Sequence, residues 1–249
     1  VDIATLLDPA RLGQWRGRAN RLSQAHRHWP AIDEVSGAAR KPGTAPEHYD
    51  PPERPGPAPP PQDPVLARLI RQRRSAVSFD ARTGLPLDRF LAMLDALLPR
   101  HGVAPWDTLP WEPRVHPVVF VHRVRDLSPG LYLLPRCASA EPRLRSALGS
   151  DLSWEQPAQL SGGPGLVRLL EDDLREPAKL AACHQDIAAD SAFSVAMLAD
   201  FDRTLSEGAH WYRRLFWECG VLGQVLYLEA EAAGVRGTGI GCFFDDLVH

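Results

Sequence analysis

The chain has 249 residues, of which 44% are hydrophobic and 24% are charged, so it is long enough for one substantial core or two small ones. Its formal net charge of -3 gives no general attraction to nucleic acid or to an anionic membrane, and no apolar run approaches the roughly 18 residues that a membrane span requires. Composition therefore favours a soluble globular protein whose partners are neither nucleic acid nor membrane.

Near the N-terminus, apolar and aromatic positions recur at spacings of four and three, which predicts one face of a helix that Pro30 would end. These positions are Trp15, Ala19, Leu22, His26 and Trp29. The stretch "PPERPGPAPPPQDP", residues 51–64, is so rich in proline that it predicts an extended arm. We interpret residues 1–62 as a helix and a Pro-rich linker, with a spacer role favoured over that of a ligand for an aromatic groove.

The next helix is predicted to begin at Asp63, followed by a proline at the first helical position, and to end near Ser75. Arg71, Arg73 and Arg74 crowd this end. A guanidinium group beside a hydroxyl is a donor set that binds phosphate. Cations at the C-terminal end of a helix also complement its dipole without any ligand, and these residues alone favour that second interpretation.

Further helices and a pair of strands follow from hydrophobic periodicity and turn residues. The predicted helices cover 86–100, 184–205 and 212–234, the last ended by Gly234. The predicted strands cover 116–124 and 130–136, joined by the turn "DLSPG". The loop "SGGPG" is expected to precede one more helix at "LVRLLEDDL". The residues alone thus indicate a mixed α+β class.

The four cysteines are widely separated and form no C-x-x-C pair; they are Cys137, Cys183, Cys219 and Cys242. Disulfide frameworks and zinc sites use closer and more regular spacings. We therefore expect reduced thiols, a cytoplasmic location and no metal site.

A second chemical suggestion comes from "GVRGTGIGCFFDD", in which Gly237, Gly239 and Gly241 alternate. In an extended segment these glycines would leave one face bare, and a flat ring such as an isoalloxazine could lie against it near main-chain N–H groups. A glycine-rich turn or bulge after a helix is the other interpretation. Gly220 and Gly223, inside the long helix, suggest close approach of another backbone, from a crossing helix or a subunit.

Three stretches together resemble the flavin-dependent nitroreductase superfamily, and most closely its azoline-dehydrogenase-like (SagB-type) branch. They are "RRSAVSF", "CHQDIAADSAF" and "YRRLFWECGVLGQVLYLEAEAAGVRGTGIGCFFDD". The resemblance covers residues 63–249 and implies an α+β domain in which a small, mostly antiparallel sheet is covered by helices around a long central helix. The earlier stretch "GQWRGRANRLSQAHRHWPAID" resembles the connector of longer proteins that carry two such domains in tandem.

Carried over position by position, the resemblance implies an FMN site. The residues concerned are Arg73, Arg74 and Ser75 at the phosphate and ribityl end, and Gly239, Ile240, Gly241 and Cys242 along the ring. It also implies hydride transfer through flavin N5, with NAD(P)H or the substrate as the donor, on a small aromatic, quinone-like or azoline substrate, including modified peptides. The flavin carries this chemistry, so no catalytic side chain is assigned. The site would lie at an interface, which implies a homodimer or a second like domain.

Departures from the family pattern leave a second function open. Val77 stands where the motif usually has its second arginine, and "TLPWEPRVHPVVF" has no counterpart of the Pro-Ser-Ala-Gly-type loop that contacts the flavin in the azoline branch. The chain begins at Val1 rather than Met and ends before the family's closing strand, so we expect the intact protein to be longer. The alternative to an FMN enzyme is a non-catalytic relative that binds a partner within a larger biosynthetic protein.

Other site types have less support. The sequence contains no P-loop, zincin or serine-hydrolase motif. Histidines such as His116 and His122 lack carboxylate or thiolate partners at metal spacing, and we interpret them as packed or surface residues. Tyr212, Arg213 and Arg214 at the head of the long helix are interpreted as a packed aromatic with two solvated cations, in preference to residues that face a flavin pocket.

Overall fold

The structure is a computed structural model, and it describes residues 3–25, 27–45, 47–55 and 63–248. The chain divides into two compact units, Val1–Ala38 and Ala39–His249. This boundary lies at residue 38, whereas the sequence places a boundary at residue 62, because the described residues 39–45 and 47–55 belong to the larger unit. Glu47 forms an ion pair with Arg214 at 2.5 Å, and Pro51 is buried. The remainder of the predicted arm, 56–62, lies outside the described residues.

The smaller unit contains the helices α1 (Ile3–Leu12) and α2 (Pro30–Ala38). The predicted helix from Trp15 to Trp29 is wrong, because the described residues between α1 and α2 are not helical; His26 lies outside them. Gly17 has a φ of 96°, which a right-handed helix does not allow. Pro30 begins a helix instead of ending one, because its fixed φ and missing N–H suit the first helical position.

The larger unit is an α+β arrangement. Its described strands are β1 (Val115–Val121), β2 (Gly130–Leu133), β3 (Val167–Glu171) and β4 (Phe193–Ala199). Its described α-helices are α3 (Asp63–Gln72), α4 (Leu87–Asp95), α5 (Ala140–Ala147), α6 (Arg175–Ala181), α7 (Asp186–Asp190), α8 (Phe201–Ser206), α9 (Trp211–Ala232) and α10 (Asp245–Val248). Short 3-10 turns lie at Trp106–Thr108 and Ala158–Leu160.

The four strands form one antiparallel sheet in the order β3-β2-β1-β4. The predicted strand pair is confirmed, since β1 and β2 are neighbours with Val118 opposite Leu133 and Val121 opposite Gly130. Gly130 is required by its position, because a Cβ there would lie 2.2 Å from the carbonyl oxygen of Leu170 in β3. The long helix α9 is also confirmed, and Gly234 follows it with a φ of 75°, the left-handed conformation that ends many helices.

Two predicted helices are wrong, and both contain a strand of this sheet. The segment 184–205 forms α7, then β4, then α8, and β4 pairs residue by residue with all of β1. The segment after "SGGPG" forms β3, which pairs with β2. Short apolar runs suit a buried helix or a strand equally well, so the unpaired hydrogen-bonding edges of β1 and β2 decide the outcome.

Helices cover both faces of the sheet. One face carries Val119 of β1 and Val195 of β4, which pack in a cluster with residues of α4 and α9 such as Phe90 and Leu222. The other face carries Leu133 and Val167, which pack against Leu144 of α5 in a second cluster. A third, smaller cluster joins α6 and α7 to Phe120 of β1. This alternation along each strand is the period of two expected for a sheet buried on both sides.

A buried ion pair ties α9 to the sheet. Arg136, three residues beyond β2, donates from Nη1 to the carboxylate of Glu218 in α9, and both side chains are almost completely inaccessible to water. Arg136 also donates to the carbonyl oxygens of Leu97 (2.8 Å) and Val115 (3.0 Å). Burial lowers the pKa of Arg136, and the Glu218 carboxylate opposes that effect. The charge of each side chain is thus offset by the other.

We expect Glu218→Gln to lower the free energy of unfolding by about 3 to 5 kcal/mol, because it leaves the Arg136 guanidinium buried without its counter-charge. Urea denaturation of the two chains measures this difference. The matched control is Glu141→Gln, which removes the partner of Arg145 in an exposed pair one helical turn apart and should cost less than about 0.5 kcal/mol. Equal losses in the two variants would contradict the assigned role of Glu218.

Candidate functional site

The arginine cluster lies directly after α3, and Arg74 uses part of its guanidinium to cap that helix. Its Nη1 donates to the carbonyl oxygens of Arg71 (2.9 Å) and Arg73 (2.8 Å). These are carbonyl groups that the helix end leaves without intrahelical partners. Part of the Arg74 guanidinium thus has a role at the helix end that needs no ligand. The side chain is also exposed, and a guanidinium has five N–H donors, so capping does not use all of them.

Tyr227, on α9, brings the two segments of the predicted site together. The hydroxyl oxygens of Ser75 and Tyr227 are 3.0 Å apart, and the backbone N–H of Gly239 donates to the same Tyr227 hydroxyl at 2.6 Å. The guanidinium of Arg73 lies over the Tyr227 ring, 4.7 Å from its centroid. The arginine-serine segment and the glycine segment, more than 150 residues apart in sequence, therefore meet at one aromatic side chain.

A main-chain contact joins the same two segments. The N–H of Ala76 donates to the carbonyl oxygen of Gly237 at 2.9 Å. A Cβ at Gly237 would lie 3.7 Å from the Tyr227 ring, and one at Gly239 would lie 3.6 Å from its hydroxyl. Both distances are ordinary van der Waals contacts, so these two glycines allow close packing on Tyr227 but are not required by it.

The electrostatic surroundings favour the ionised form of Tyr227. Partial burial raises its pKa, but hydrogen bonds from Ser75, Gly239 and Thr238 and the positive charge of Arg73 together outweigh burial, so that the pKa lies below its ordinary value of 10.0. Tyr227 could not be identified from the sequence, because an aromatic residue within a helix that is apolar on several faces is normally a packing residue. Its role depends on the loop after α9 folding back onto the helix.

The glycine segment differs from the prediction of a bare extended face. The described residues from 235 to 244 form no strand and join no sheet. Gly237 and Gly239 face Tyr227, whereas a Cβ at Gly241 would meet no described atom within 4 Å. The side chain of Ile240 instead packs against an alanine cluster of α6 and α7 that includes Ala182. Tyr227 and the alanine cluster thus hold successive parts of the segment.

Cys242 corrects the expectation of reduced thiols, because it forms a disulfide with Cys183, with a Cα–Cα distance of 5.9 Å. Cys137 and Cys219 are free. The carbonyl oxygen of Cys242 also accepts a hydrogen bond from Nε2 of Gln185 at 3.3 Å. The pairing could not be read from the sequence, since 59 positions separate the two cysteines and only the return of the chain along α6 and α7 brings them together.

The head of α9 does not face this site. The side chain of Arg214 is buried, pairs with Glu47, and stacks 4.7 Å from Trp111 and 4.6 Å from Trp211. Tyr212 packs edge-on against Phe201. The packed role predicted for the tyrosine is confirmed, whereas the solvated role predicted for Arg214 is wrong because Glu47, Trp111 and Trp211 surround its guanidinium.

His116 lies in β1 and His122 directly follows it; both are buried, so of the two predicted alternatives, packed or surface, the packed one holds. Desolvation lowers the pKa of His116 to about 3 and that of His122 to about 4. Within the described residues, no three His, Cys, Asp or Glu side chains are grouped so that they could hold a metal ion. No described helix combines the length and the apolar character that a membrane crossing needs.

The exposed side of α9 is apolar, and its glycines leave room for another backbone to pack closely against the helix. Phe216 and Trp217 are 61% and 57% exposed, and Gly220 is exposed one turn later. Cβ atoms at Gly220 and Gly223 would meet no described atom within 4 Å outside the helix's own backbone. A crossing helix from the described part of the chain therefore does not account for these glycines.

Comparison with known proteins supports the fold. No protein-family model matches the chain. No curated protein is significantly similar to it. A solved structure from Anabaena variabilis, provisionally named a nitroreductase, is similar with a TM-score of 0.55 and 22% identity over 74% of this chain. The match covers 34% of that protein, so this chain corresponds to about a third of its length. The chain has a nitroreductase-like α+β fold, and at this identity the likeness shows the fold alone.

We expect Tyr227→Phe to remove the earliest phase of tyrosine ionisation. The chain has four tyrosines, and burial raises the pKa of Tyr49 and Tyr132, so ionisation below the ordinary range is assigned to Tyr227. A spectrophotometric pH titration measures the tyrosinate absorbance. The pKa of Tyr227 is lower in the folded chain, so stability should increase as pH rises through that value, and the variant should lose this increase.

The control for this titration is Tyr49→Phe, which removes a tyrosine of raised pKa and should leave the early phase intact. An early phase that persists in Tyr227→Phe would show that the contacts of Tyr227 with Ser75 and Gly239 do not shift its ionisation.

Proposed function

We propose that this chain is an FMN-dependent oxidoreductase of the nitroreductase superfamily. The observation that carries the proposal is the junction at Tyr227, where a segment rich in cationic and hydroxyl donors meets a glycine segment. If each segment resembled its half of a flavin site only by chance, the two segments would have no reason to lie next to each other in the folded chain. The nitroreductase-like fold supports the same assignment.

The donor set at the end of α3 fits the phosphate end of FMN. Arg73 and Arg74 supply positive charge, and Ser75 supplies a short hydroxyl donor beside them. Arg74 and Ser75 are exposed, so a phosphate can reach both without displacing a packed side chain. The cap that Arg74 makes on α3 would orient its remaining N–H groups away from the helix. In this arrangement Arg74 and Ser75 bind the phosphate, and Arg73 acts partly through its contact with Tyr227.

The glycine segment fits the ring through its main chain. The N–H of Gly239 is already used by Tyr227, whereas those of Ile240, Gly241 and Cys242 donate to no acceptor among the described residues. These three groups are therefore the donors available to ring atoms. Bound flavin would supply hydride transfer at its N5 atom. The hydride would come from NAD(P)H or from the substrate, and the substrate would be a small aromatic, quinone-like or azoline compound. The protein's part would be to orient the ring and to exclude water from it.

We further propose that the site is completed by a second like domain, in a homodimer or in the tandem arrangement of SagB-type proteins. The site residues Arg74, Ser75, Gly241 and Cys242 are exposed, and an isolated domain would leave a bound ring open to water. The apolar stripe of Phe216, Trp217 and Gly220 on α9 offers a surface for close helix contact. A chain that corresponds to a third of its structural neighbour is compatible with such a repeat.

A second candidate function has its own observation. Val77, at the position where the family motif has its second arginine, is 94% exposed and supplies no donor to a phosphate. Without this cation, and with Arg74 engaged in capping α3, the domain would have a weaker phosphate site. Such a domain could keep the nitroreductase-like fold and serve to bind a partner within a larger biosynthetic protein. This reading predicts a colourless protein that does not retain added FMN, whereas the enzyme predicts flavin absorption bands that survive desalting.

We expect Arg74→Ala to weaken FMN binding at least about tenfold, because a lost charge-assisted hydrogen bond costs about 1.5 to 3 kcal/mol. The dissociation constant is measured by quenching of FMN fluorescence. The control is Arg145→Ala, an exposed arginine of α5 that pairs with Glu141 and lies outside the site. Unchanged affinity in Arg74→Ala would remove Arg74 from the site, and no binding by the unmodified chain would favour the partner-binding function.

We expect Trp217→Glu to dissociate an assembly formed through α9, because a charge would replace an indole that is buried on association. Sedimentation velocity of the unmodified chain and the variant measures the change in mass. Leu170→Glu is the control, since it changes a comparably exposed apolar residue of β3. A monomeric unmodified chain would contradict the homodimer and leave the tandem arrangement to be tested on a longer chain.

A further inference from the structure

The disulfide between Cys183 and Cys242 lies at one end of the candidate site. Cys183 belongs to the turn between α6 and α7, and Cys242 directly follows Gly241. The disulfide therefore joins the proposed ring-binding segment to the turn between α6 and α7, whereas Tyr227 joins the same segment to α9. The segment from Gly239 to Cys242 is held at its first residue by a hydrogen bond and at its last by a covalent bond.

The two cysteines differ in how firmly their backbones are held. Cys183 and His184 both adopt left-handed conformations, with φ of 54° and 60°, which non-glycine residues adopt only where surrounding contacts fix them. The turn is closed by the N–H of Gln185, which donates to the carbonyl oxygen of Ala182 at 3.2 Å. The turn thus presents the Cys183 sulfur from a defined position.

Cys242, in contrast, lies in irregular and exposed chain. The described residues from 241 to 248 are all exposed, and the segment joins no sheet. Its other ties to α6, α7 and the turn between them are two hydrogen bonds, one ring contact and one packed side chain. Gln185 donates to the Cys242 carbonyl, the N–H of Phe244 donates to Ala181 at 2.9 Å, the Phe244 ring lies edge-on to His184 at 5.8 Å, and Ile240 packs on the alanine cluster. Two hydrogen bonds, one ring contact and one packed apolar side chain would remain if the disulfide were broken. The mobile partner is therefore the glycine segment.

The other two cysteines are unsuited to redox exchange. Cys137 and Cys219 are half-buried, and burial raises the pKa of both thiols, that of Cys219 to about 11. A thiol of raised pKa carries little of the thiolate that attacks disulfides. Cys242 is exposed and Cys183 is half-buried, so a reducing thiol can reach the disulfide from the side of Cys242. Exchange should thus be confined to Cys183 and Cys242.

We propose that the Cys183–Cys242 disulfide is a reversible redox clip that sets the glycine segment in its binding position. A reductant thiolate attacks one sulfur, the Sγ–Sγ bond breaks, and the departing sulfur takes a proton. A second reductant thiolate then attacks the reductant sulfur of the mixed disulfide, and the remaining cysteine sulfur leaves and takes a proton. Two cysteine thiols and one reductant disulfide result, with two electrons transferred. The clip's effect on flavin rests on the proposed function, whereas its effect on the chain does not.

The first test follows the chain without any flavin. In the unreduced chain an alkylating agent added under denaturing conditions should label two cysteines, and after treatment with dithiothreitol it should label four. Hydrogen exchange of the Gly239 and Phe244 N–H groups, which donate to Tyr227 and Ala181, should accelerate about tenfold on reduction, because the segment then opens locally. Four labelled cysteines in the unreduced chain purified in air, or unchanged exchange after reduction, would overturn the proposal.

Two variants isolate the pair. Cys183→Ala should show the fast exchange of the reduced chain whether or not dithiothreitol is present. Cys137→Ala is the matched control, because it removes a free thiol outside the site and should respond to reduction as the unmodified chain does. Fast exchange in oxidised Cys137→Ala would contradict the assignment to the Cys183–Cys242 pair.

The second test measures FMN binding in both states. Reduction should weaken FMN binding about fivefold to tenfold, because only a fraction of the freed segments hold the binding position. If exchange changes and FMN binds equally in both states, the proposal that the clip regulates the site is wrong. If exchange changes and FMN binds in neither state, the proposed function fails, while the redox clip on the chain itself stands.

Discussion

Two opposite charges in the same dry core, on Arg136 and Glu218, determine how the long helix meets the sheet. Removing either charge alone would lower the free energy of unfolding by about 3 to 5 kcal/mol, because the other charge would stay buried and unpaired. Glu218 also accepts hydrogen bonds from the backbone N–H groups of Arg114 and Val115, at the start of β1. These bonds fix both the position of α9 along the sheet and its rotation about its own axis.

That rotation places the candidate site. Tyr227 follows Glu218 by nine residues, about two and a half helical turns, so the two side chains leave α9 on opposite sides. Glu218 enters the core beside β1, and Tyr227 points towards Ser75 and the returning glycine segment. The position of the tyrosine hydroxyl is therefore set by packing at the other end of the helix. A shift of α9 by one residue would turn the hydroxyl away from both partners.

The glycine segment has two attachments of different physical kinds. At Gly239 it is held by a hydrogen bond to Tyr227, whose strength depends on the ionisation of the tyrosine and on the charge of Arg73. At Cys242 it is held by a covalent bond that depends on redox conditions. Proton concentration thus acts on one end of the segment and thiol reductants act on the other. Between the two attachments, Ile240 packs against the alanine cluster of α6 and α7.

The sequence by itself determined the elements whose signals are local. The periodicity of α9, the glycine that ends it and the turn between β1 and β2 specify conformation through neighbouring residues, as does the placing of three arginines at the end of α3. Only the tertiary structure decided that 193–199 is a strand, that Cys183 bonds to Cys242, and that Tyr227 contacts both segments of the candidate site. In each case the deciding partner is distant in sequence, so a hydrogen-bonding edge, a sulfur or a hydroxyl acquires its role only when the chain is folded.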